Sequence, residues 1–403
     1  FGMSETGQIV YSASCTYIPD GSNRDTMWID DTLLMAATDP MPAPINNLFS
    51  SSNNRPGFWL DGTPHWLTLT STTSGGTSSN CALLVGAAPS VILRGGDAVD
   101  GGTYQLVNAT TAIANPYRFS KEGTHYIADV RVTGPAANDH LMLIDGNAIS
   151  IDFQVVREGF PVAAAAGGLP GENWENFDFN NINENGDWFL TGDTTAATTA
   201  DEFIMKNGVI LHREGDVIGA DTISGAIDAA FMNPQGDWAA AWRVNTVDGL
   251  KEVLFYNGEI VLREDDPVDW NGDGLIDAGD NNAKLADFLA TNILLAVSDR
   301  DVYGNVDIYF FADIDFNGTS ASTDDLQGFF KLRIAVPVTC VRGVADGDNI
   351  VTLDDIDSFA ALLLDPDSAS PTEVCAADMN NDTRLDARDI SEFAFCVISG
   401  GCP

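Results

Sequence analysis

The chain consists largely of short segments in which apolar and polar residues alternate, separated by turns rich in glycine, asparagine and aspartate. Alternation with a period of two predicts β-strands that bury one face. Segments 202–216 and 252–266 each contain two such strands joined by Asn-Gly, and segment 140–151 has Asp-Gly at the same place. These dipeptides favour type I′ turns, so each segment is predicted to form a β-hairpin.

The hairpins belong to a larger unit that occurs six times before residue 336. Each unit has an aromatic residue, a polar turn, a glycine and an alternating strand, as in FMNPQGDWAAAWRV (231–244). The aligned residues are Gly7, Gly57, Gly123, Gly186, Gly236 and Asn292. Units of roughly 40 to 60 residues with about four strands are typical of propeller blades, whereas solenoid coils are usually shorter and sandwiches do not repeat sixfold. The fold class is therefore predicted to be mainly β, with a six-bladed β-propeller over residues 1–336.

The repeat resembles the NxxG-type tandem repeats of bacterial secreted proteins, in which a strand ending in Arg-Glu-Gly-Asp follows each hairpin. That sequence is complete at residues 213–216, and it drifts at 94–97, 157–159 and 263–266. Because the arginine recurs in several units, we expect it to be a structural tie at the blade edge rather than a substrate ligand.

Residues 269–280 have the spacing of an EF-hand calcium loop. Side-chain oxygens fall at loop positions 1, 3, 5, 9 and 12, and position 7 offers a backbone carbonyl; the residues are Asp269, Asn271, Asp273, Asp277, Asp280 and Leu275. A hard cation requires roughly six to eight oxygen ligands, which this one segment can supply. The alternative is an acidic surface turn, and calcium is the favoured interpretation.

Three further segments fit the same template, and Ca²⁺ is the cofactor that they predict. The second loop comprises Asp378, Asn380, Asp382, Arg384 (through its carbonyl), Asp386 and Asp389. The third comprises Asp313, Asp315, Asn317 and Asp324, where an Asn-Gly hairpin turn is the alternative. The fourth comprises Asp346, Asp348, Thr352 and Asp355; it has Val344 where the first aspartate belongs, so it either binds weakly or only copies the shape.

Residues 340–403 are predicted to form a separate small helical domain. Apolar residues recur at helical spacing after each of its two loops, so two short amphipathic helices are expected to pack face to face. Two calcium loops, each followed by a helix, resemble a type I dockerin module, and this resemblance implies a cohesin-like partner. Four of the six cysteines lie here, which indicates disulfides and an oxidising compartment. Their pairing is left open, as is a pair between Cys15 and Cys81.

The charge balance limits the partners of the chain. Asp and Glu number 59 against 19 Lys and Arg, for a formal net charge of -40. Nucleic acid and anionic membrane surfaces are therefore disfavoured. No apolar run approaches the roughly 18 residues of a membrane span, so membrane insertion is not expected. The chain begins at Phe1, as a mature form without its export signal would, and we expect a secreted, extracellular or cell-surface protein.

The sequence offers little for catalysis. The four histidines are scattered without HExxH and are expected to be surface or strand residues, and neither GxSxG nor a phosphate-binding loop occurs. The two Gly-Asp-Trp segments are interpreted as strand starts with packing tryptophans. The favoured function is therefore non-enzymatic surface attachment or self-assembly as a homo-oligomer or polymer. The alternatives are a carbohydrate-active propeller enzyme, which needs two carboxylates roughly 5 to 9 Å apart, and a propeller that binds a polysaccharide or other ligand without catalysis.

Overall fold

The structure is a computed structural model of the chain. It describes residues 2–3, 9–17, 22–36, 48–52, 57–60, 64–74, 77–85, 90–109, 111–121, 123–272, 275–280, 283–288, 295–301, 304–316, 326–335, 340–347, 350–366, 369–380, 384–400 and 402, and only the backbone between 48 and 90. Strands account for 47% of the chain, so the fold is mainly β, as predicted. The aligned positions Gly7 and Asn292 lie outside the described residues.

The first two repeats each form an antiparallel sheet. The first sheet has the order β1-β2-β3-β4, and in the second β7 pairs with β5, β6 and β8, and β8 pairs with β9. The strands are β1 (Gly2–Met3), β2 (Ile9–Tyr17), β3 (Ser22–Ile29), β4 (Thr32–Ala36), β5 (Leu48–Ser52), β6 (Gly57–Leu60), β7 (Pro64–Ser74), β8 (Thr77–Val85) and β9 (Ser90–Arg94). Cys15 on β2 is a free thiol, so a disulfide between Cys15 and Cys81 is not formed.

The third, fourth and fifth repeats form sheets in which each strand pairs with the next along the chain. Two small ribbons, β10 (Ala98–Val99) with β11 (Tyr104–Gln105) and β16 (Ser150–Ile151) with β17 (Gln154–Val155), precede the third and fourth sheets. The sheets consist of β12 (Ile113–Phe119), β13 (Tyr126–Arg131), β14 (His140–Ile144) and β15 (Asn147–Ala148); β18 (Trp174–Ile182), β19 (Trp188–Thr194), β20 (Glu202–Lys206) and β21 (Val209–Arg213); and β22 (Val217–Ile218), β23 (Asp221–Met232), β24 (Trp238–Thr246), β25 (Gly249–Tyr256) and β26 (Glu259–Arg263).

The sixth repeat forms a sheet in which β29 pairs with both β28 and β30. Its strands are β27 (Lys284–Phe288), β28 (Leu295–Val297), β29 (Val306–Asp315) and β30 (Leu326–Ile334). By internal contacts the chain divides into two compact units, residues 1–293 with 313–326 and residues 294–312 with 327–403. The second unit thus contains residues 340–403 (the tail) together with part of the sixth sheet.

The predicted hairpin turns are confirmed. Both residues of each turn have positive φ, 49° and 82° at Asn207-Gly208 and 48° and 95° at Asn257-Gly258. The turn asparagine also fixes the preceding strand, because the Asn207 side-chain amide donates to Asp187 at 2.7 Å and the Asn207 Oδ1 accepts from the Trp188 N–H at 2.8 Å. The Asn257 turn repeats both contacts with Asp237 and Trp238. The Gly-Asp-Trp segments are therefore structural corners.

The cores of the third to fifth sheets lie in the first unit. Strands of neighbouring sheets pack together: β12 packs with β18, and β18 packs with β23, the second strand of the fifth sheet. Large aromatic side chains fill the core, and Trp174, Phe189, Phe203, Trp242 and Phe255 are fully buried. Burial of this aromatic surface stabilises the folded sheets.

Arg213, the arginine of the complete Arg-Glu-Gly-Asp sequence, is buried at the end of β21. Its guanidinium donates two hydrogen bonds to the Glu172 carboxylate, from Nη1 at 2.5 Å and from Nη2 at 3.0 Å. The same guanidinium donates to the carbonyls of Ala200 and Gly167, both at 3.3 Å. Arg213 therefore ties β21 to the segments before β18 and β20.

The tail contains three helices, α1 (Asp355–Leu364), α2 (Pro371–Ala377) and α3 (Ile390–Ser399). Phe359 and Phe393 stack with ring centroids 3.8 Å apart, so α1 and α3 pack face to face as expected. Two disulfides, Cys340–Cys375 and Cys396–Cys402, resolve the open pairing. Helix α2 was not expected; Ser370 and Glu373 form a capping box at its start. No helix in the described part of the chain is long and apolar enough to cross a membrane.

Candidate metal centre

The last aspartate of the first predicted calcium loop (269–280) is buried and holds the loop closed. Asp280 is 2% exposed, and its Oδ1 accepts hydrogen bonds from the backbone N–H groups of Trp270 (2.9 Å) and Asn271 (3.2 Å). Its Oδ2 accepts from the Asp277 N–H at 2.8 Å. The Asp277 N–H, followed by those of Asn271 and Trp270, lowers the pKa of Asp280, so the carboxylate is held in its charged form.

The second loop repeats this geometry position by position. Asp389 is fully buried; its Oδ1 accepts from the N–H groups of Met379 (2.8 Å) and Asn380 (3.2 Å), and its Oδ2 accepts from the Asp386 N–H at 3.0 Å. The first ligand residue, Asp378, is also buried, at 3% exposed. Two predicted ligands thus lie inside the loop rather than on its outer surface.

The degenerate loop keeps the frame but lacks the first ligand. Asp355 is fully buried, and it accepts from the N–H groups of Asp346 (3.1 Å) and Thr352 (2.8 Å). Val344, which stands at position 1, is buried at 6% exposed. The loop therefore copies the shape of the other two while an apolar side chain occupies the position of the first carboxylate.

Position 9 of each loop starts the helical turn that follows. Asp277 Oδ1, Asp386 Oδ1 and Thr352 Oγ1 accept from the backbone N–H two residues later, at 2.6, 2.8 and 3.1 Å. Each of these contacts closes a local turn at the entry to the helical segment, and the aspartate at position 12 accepts a hydrogen bond from the N–H of position 9. Hydrogen bonds within the protein thus fix each of these three loops at both ends. The carboxylate oxygens keep further lone pairs that a cation can use.

The remaining predicted ligands are distributed as follows. Asp269 is half-buried and accepts from the Gly272 N–H at 2.8 Å, and Leu275 is 62% exposed. Asp313 and Asp315 lie on one face at the end of β29, rather than in a loop. In the same unit, the rings of Trp270 and Phe316 meet edge to face at 5.0 Å, which brings the first and third loops together. Five predicted ligands lie outside the described residues: Asp273, Asn317, Asp324, Asp348 and Asp382.

A different cluster lies on the third sheet. Among the described residues, one set of three His, Cys, Asp or Glu side chains brings its ligand atoms within 4.8 Å of one another: Asp139, His140 and Glu158. The sequence did not identify this set, because its members come from the start of β14 and from the segment after β17. The recurring Arg-Glu pair at Arg157 and Glu158 was the one local signal.

Three carboxylates lie close together on the fourth sheet: Glu202 is buried, and Asp178 and Asp193 are half-buried. Burial, followed by a hydrogen bond to Asp193, raises the pKa of Glu202 to about 9. Burial, followed by repulsion from Asp193, raises the pKa of Asp178 to about 6. Carboxyl groups that share a hydrogen bond lie closer than the roughly 5 to 9.5 Å that glycosidases use, so the Glu202–Asp193 pair does not have glycosidase geometry.

This group gives stability a pH dependence. The raised pKa means that folded Glu202 keeps a proton that the unfolded chain releases, so stability is greatest below the unfolded pKa and falls as pH rises toward about 9. We expect Glu202→Gln to reduce the loss of unfolding free energy between pH 5 and pH 8.5 by about 1 kcal/mol or more. Denaturant unfolding at the two pH values measures it. Glu252→Gln is the control, because Glu252 pairs with Arg243 at 3.2 Å; an equal effect in both variants would contradict the assignment.

Comparison with known proteins finds no family model that matches this chain, and no curated protein matches it either. The site is therefore interpreted from its own geometry.

Proposed function

We propose that this chain is a secreted, non-enzymatic repeat protein that calcium stabilises and that serves in surface attachment or self-assembly. The observation that carries the proposal is the buried aspartate at position 12. In the loops ending at Asp280 and Asp389 it accepts hydrogen bonds from the backbone N–H groups of positions 3 and 9. Such loops serve as calcium sites when carboxylates converge at positions 1, 3, 5 and 12. The net charge of -40 favours cation binding further.

The two loops with a complete ligand set are the proposed calcium sites. Asp269, Asn271, Asp277 and Asp280 would hold one ion, and Asp378, Asn380, Asp386 and Asp389 the other, each with the aspartate at position 5. Calcium bound there would neutralise charge that otherwise repels within the loop and would stabilise the folded state. The loop that ends at Asp355 would contribute its frame more than a strong site.

The proposed body is a six-bladed β-propeller. Its support is the succession of sheets, one for each sequence repeat, and the packing of β12 with β18 and of β18 with β23. In a propeller these would be the inner strands of successive blades. The paired tail cysteines support a secreted location, since disulfides persist in oxidising compartments.

The proposed association face lies on the tail. An apolar groove of about 380 Å³ runs between α1 and α3. Its lining residues are Leu353, Ile356, Phe359, Ala360, Leu363, Ile390, Phe393, Ala394, Val397 and Ile398. Several are widely exposed, including Ile398 at 86% and Leu353 at 72%. Contiguous exposed apolar surface of this kind marks contact with another protein, and in self-assembly a neighbouring copy covers it.

Calcium dependence is tested with two matched variants. Asp389→Ala and Asp355→Ala both remove the hydrogen bonds that the N–H groups of positions 3 and 9 donate to the last aspartate. Only Asp389→Ala removes a ligand from a complete calcium loop. Calcium at a hundredfold excess over its dissociation constant stabilises a site by about 2.7 kcal/mol. We therefore expect calcium to raise the stability of the tail in the parent and in Asp355→Ala, and to do so much less in Asp389→Ala.

Hydrogen exchange of α3 in millimolar calcium and in EGTA measures this difference. A parent protein whose exchange is the same in both conditions would overturn the calcium assignment.

Assembly is tested by light scattering and electron microscopy in millimolar calcium. We expect Ile398→Glu to reduce association, because it places a charge in the groove. Leu364→Glu should leave association unchanged, since Leu364 is also 86% exposed but lies outside the groove. A parent that stays monomeric at high concentration contradicts self-assembly. If that monomer also releases reducing sugars from polysaccharides, the carbohydrate-active enzyme replaces the present proposal.

A further inference from the structure

His140 is held with one ring nitrogen directed away from solvent. Its Nδ1 lies 2.8 and 3.1 Å from the two oxygens of Asp129, which is 3% exposed. A carboxylate on one nitrogen fixes the tautomer and orientation of the ring, and the same arrangement orients metal-binding histidines. The other nitrogen, Nε2, lies 3.9 Å from Oδ1 of Asp139.

Asp139 presents a buried oxygen to this nitrogen. Its side chain is 7% exposed, and Arg131 occupies Oδ2 with two hydrogen bonds of 2.9 and 2.5 Å. Its Oδ1 has no hydrogen-bond partner in the part of the chain that the structure describes. A separation of 3.9 Å is too long for a hydrogen bond. Two ligands of a tetrahedral ion at about 2 Å lie roughly 3.3 Å apart, so the two side chains would close by about half an ångström around a shared ion.

Glu158 completes the set. Its Oε2 accepts from the backbone N–H groups of Asp139 at 3.2 Å and of His140 at 3.4 Å, which fixes the carboxylate beside both residues. The three carboxylates of Asp129, Asp139 and Glu158 exceed the single guanidinium of Arg131 by two charges. A divalent cation neutralises that excess.

We propose that Asp139, His140 and Glu158 form a binding site for a divalent transition metal ion, with zinc as the best match. One imidazole nitrogen and two carboxylate oxygens are ligands that zinc accepts at about 2 Å, whereas the calcium loops offer oxygen alone. The ion takes the place of the proton on Nε2, and the Nδ1–H continues to donate its hydrogen bond to Asp129. Three protein ligands and a side chain 32% exposed at His140 leave one coordination position open to water or a ligand.

The site is specific to the third repeat. His140 pairs with Arg131 across β13 and β14, and the same register pairs Glu202 with Asp193 in the fourth sheet and Glu252 with Arg243 in the fifth. Histidine stands at this position in one of these three sheets. We therefore expect one zinc ion per chain at this position.

Zinc binding by the full chain tests the proposal. Millimolar calcium is kept present, so that the calcium loops do not take up zinc, and zinc is titrated by calorimetry. The parent should bind one equivalent, and His140→Ala should lose it. His125→Ala is the matched control: His125 also has its Nδ1 on a carboxylate, Asp145 at 2.7 Å, with a similar side-chain exposure of 34%. It should keep the full equivalent.

A second variant guards against loss of folding. Glu158→Gln keeps an oxygen that can accept the two backbone N–H groups, yet it should weaken zinc binding about 10-fold or more, because an amide is a poorer ligand than a carboxylate. Cobalt substituted at the site should give visible absorption bands in the parent and not in His140→Ala. A folded parent that binds no zinc, or zinc binding that survives in His140→Ala, would overturn the proposal.

Discussion

Arg213→Met is expected to lower the free energy of unfolding by about 3–5 kcal/mol, the largest effect of any single substitution considered in this protein. The methionine fills much of the same volume but leaves the Glu172 carboxylate, which is 4% exposed, without its counter-charge. Two hydrogen bonds from Thr194 Oγ1 (2.5 Å) and the Leu169 N–H (2.6 Å) remain on that carboxylate. They do not compensate for a buried charge without a cation.

The next repeat provides the control for Arg213→Met. Arg263 is the equivalent residue, but its side chain is 38% exposed where it pairs with Asp221 at 2.6 Å. Solvent screens that pair, so Arg263→Met should cost no more than about 1 kcal/mol. Unfolding in guanidinium chloride, followed by tryptophan fluorescence in the presence of calcium, measures the free energy of unfolding of both variants. Adding Glu172→Gln to Arg213→Met should restore part of the loss; equal losses at Arg213 and Arg263 would show that the burial of the ion pair is not the cause.

Removal of the Cys340–Cys375 disulfide is expected to destabilise the tail more than removal of Cys396–Cys402. In the chain-entropy account a cross-link lowers the conformational entropy of the unfolded chain. The decrease grows with the logarithm of the number of residues in the loop that the cross-link closes. The sequence separations are 35 and 6 residues. The corresponding contributions are about 4 and about 2 kcal/mol.

The paired alanine variants of each disulfide test this order. The tail has no tryptophan, so hydrogen exchange of α1 and α3 in saturating calcium is the appropriate measurement. Both double variants should exchange faster than the parent, and the Cys340→Ala/Cys375→Ala protein should exchange fastest. The reverse order would mean that strain or residual structure in the unfolded chain outweighs loop length.

Local patterns were sufficient to predict the Asn-Gly hairpins and the closed frames of two loops. The Asn-Gly turns were predicted because a type I′ turn requires positive φ at two successive residues, and few dipeptides tolerate this. The frames closed by Asp280 and Asp389 were predicted because every contributing residue lies within one short segment. Helix α2 was missed although Ser370 and Glu373 carried a capping signal, because the helix has seven residues and no long apolar stripe.

Features that depend on the register of distant strands could not be predicted. Asp129, His140 and Glu158 meet because β13 pairs with β14 and Glu158 donates its N–H to the His140 carbonyl at 3.0 Å. No spacing along the chain encodes that meeting. The same reason applies to the shared proton between Asp193 and Glu202 and to the pairing of the tail cysteines, for which several connectivities satisfied the sequence equally.

If the loops bind calcium as proposed, the loop with Val344 at its first position would make the two halves of the tail unequal in their need for metal. Its frame is built from backbone N–H groups and a buried carboxylate, and α1 stacks on α3 through Phe359 and Phe393. When calcium is withdrawn, the half around α1 should stay folded, whereas the half around α3 should loosen. A chain that moves between calcium-rich and calcium-poor surroundings would then loosen in a graded manner and recover without folding anew.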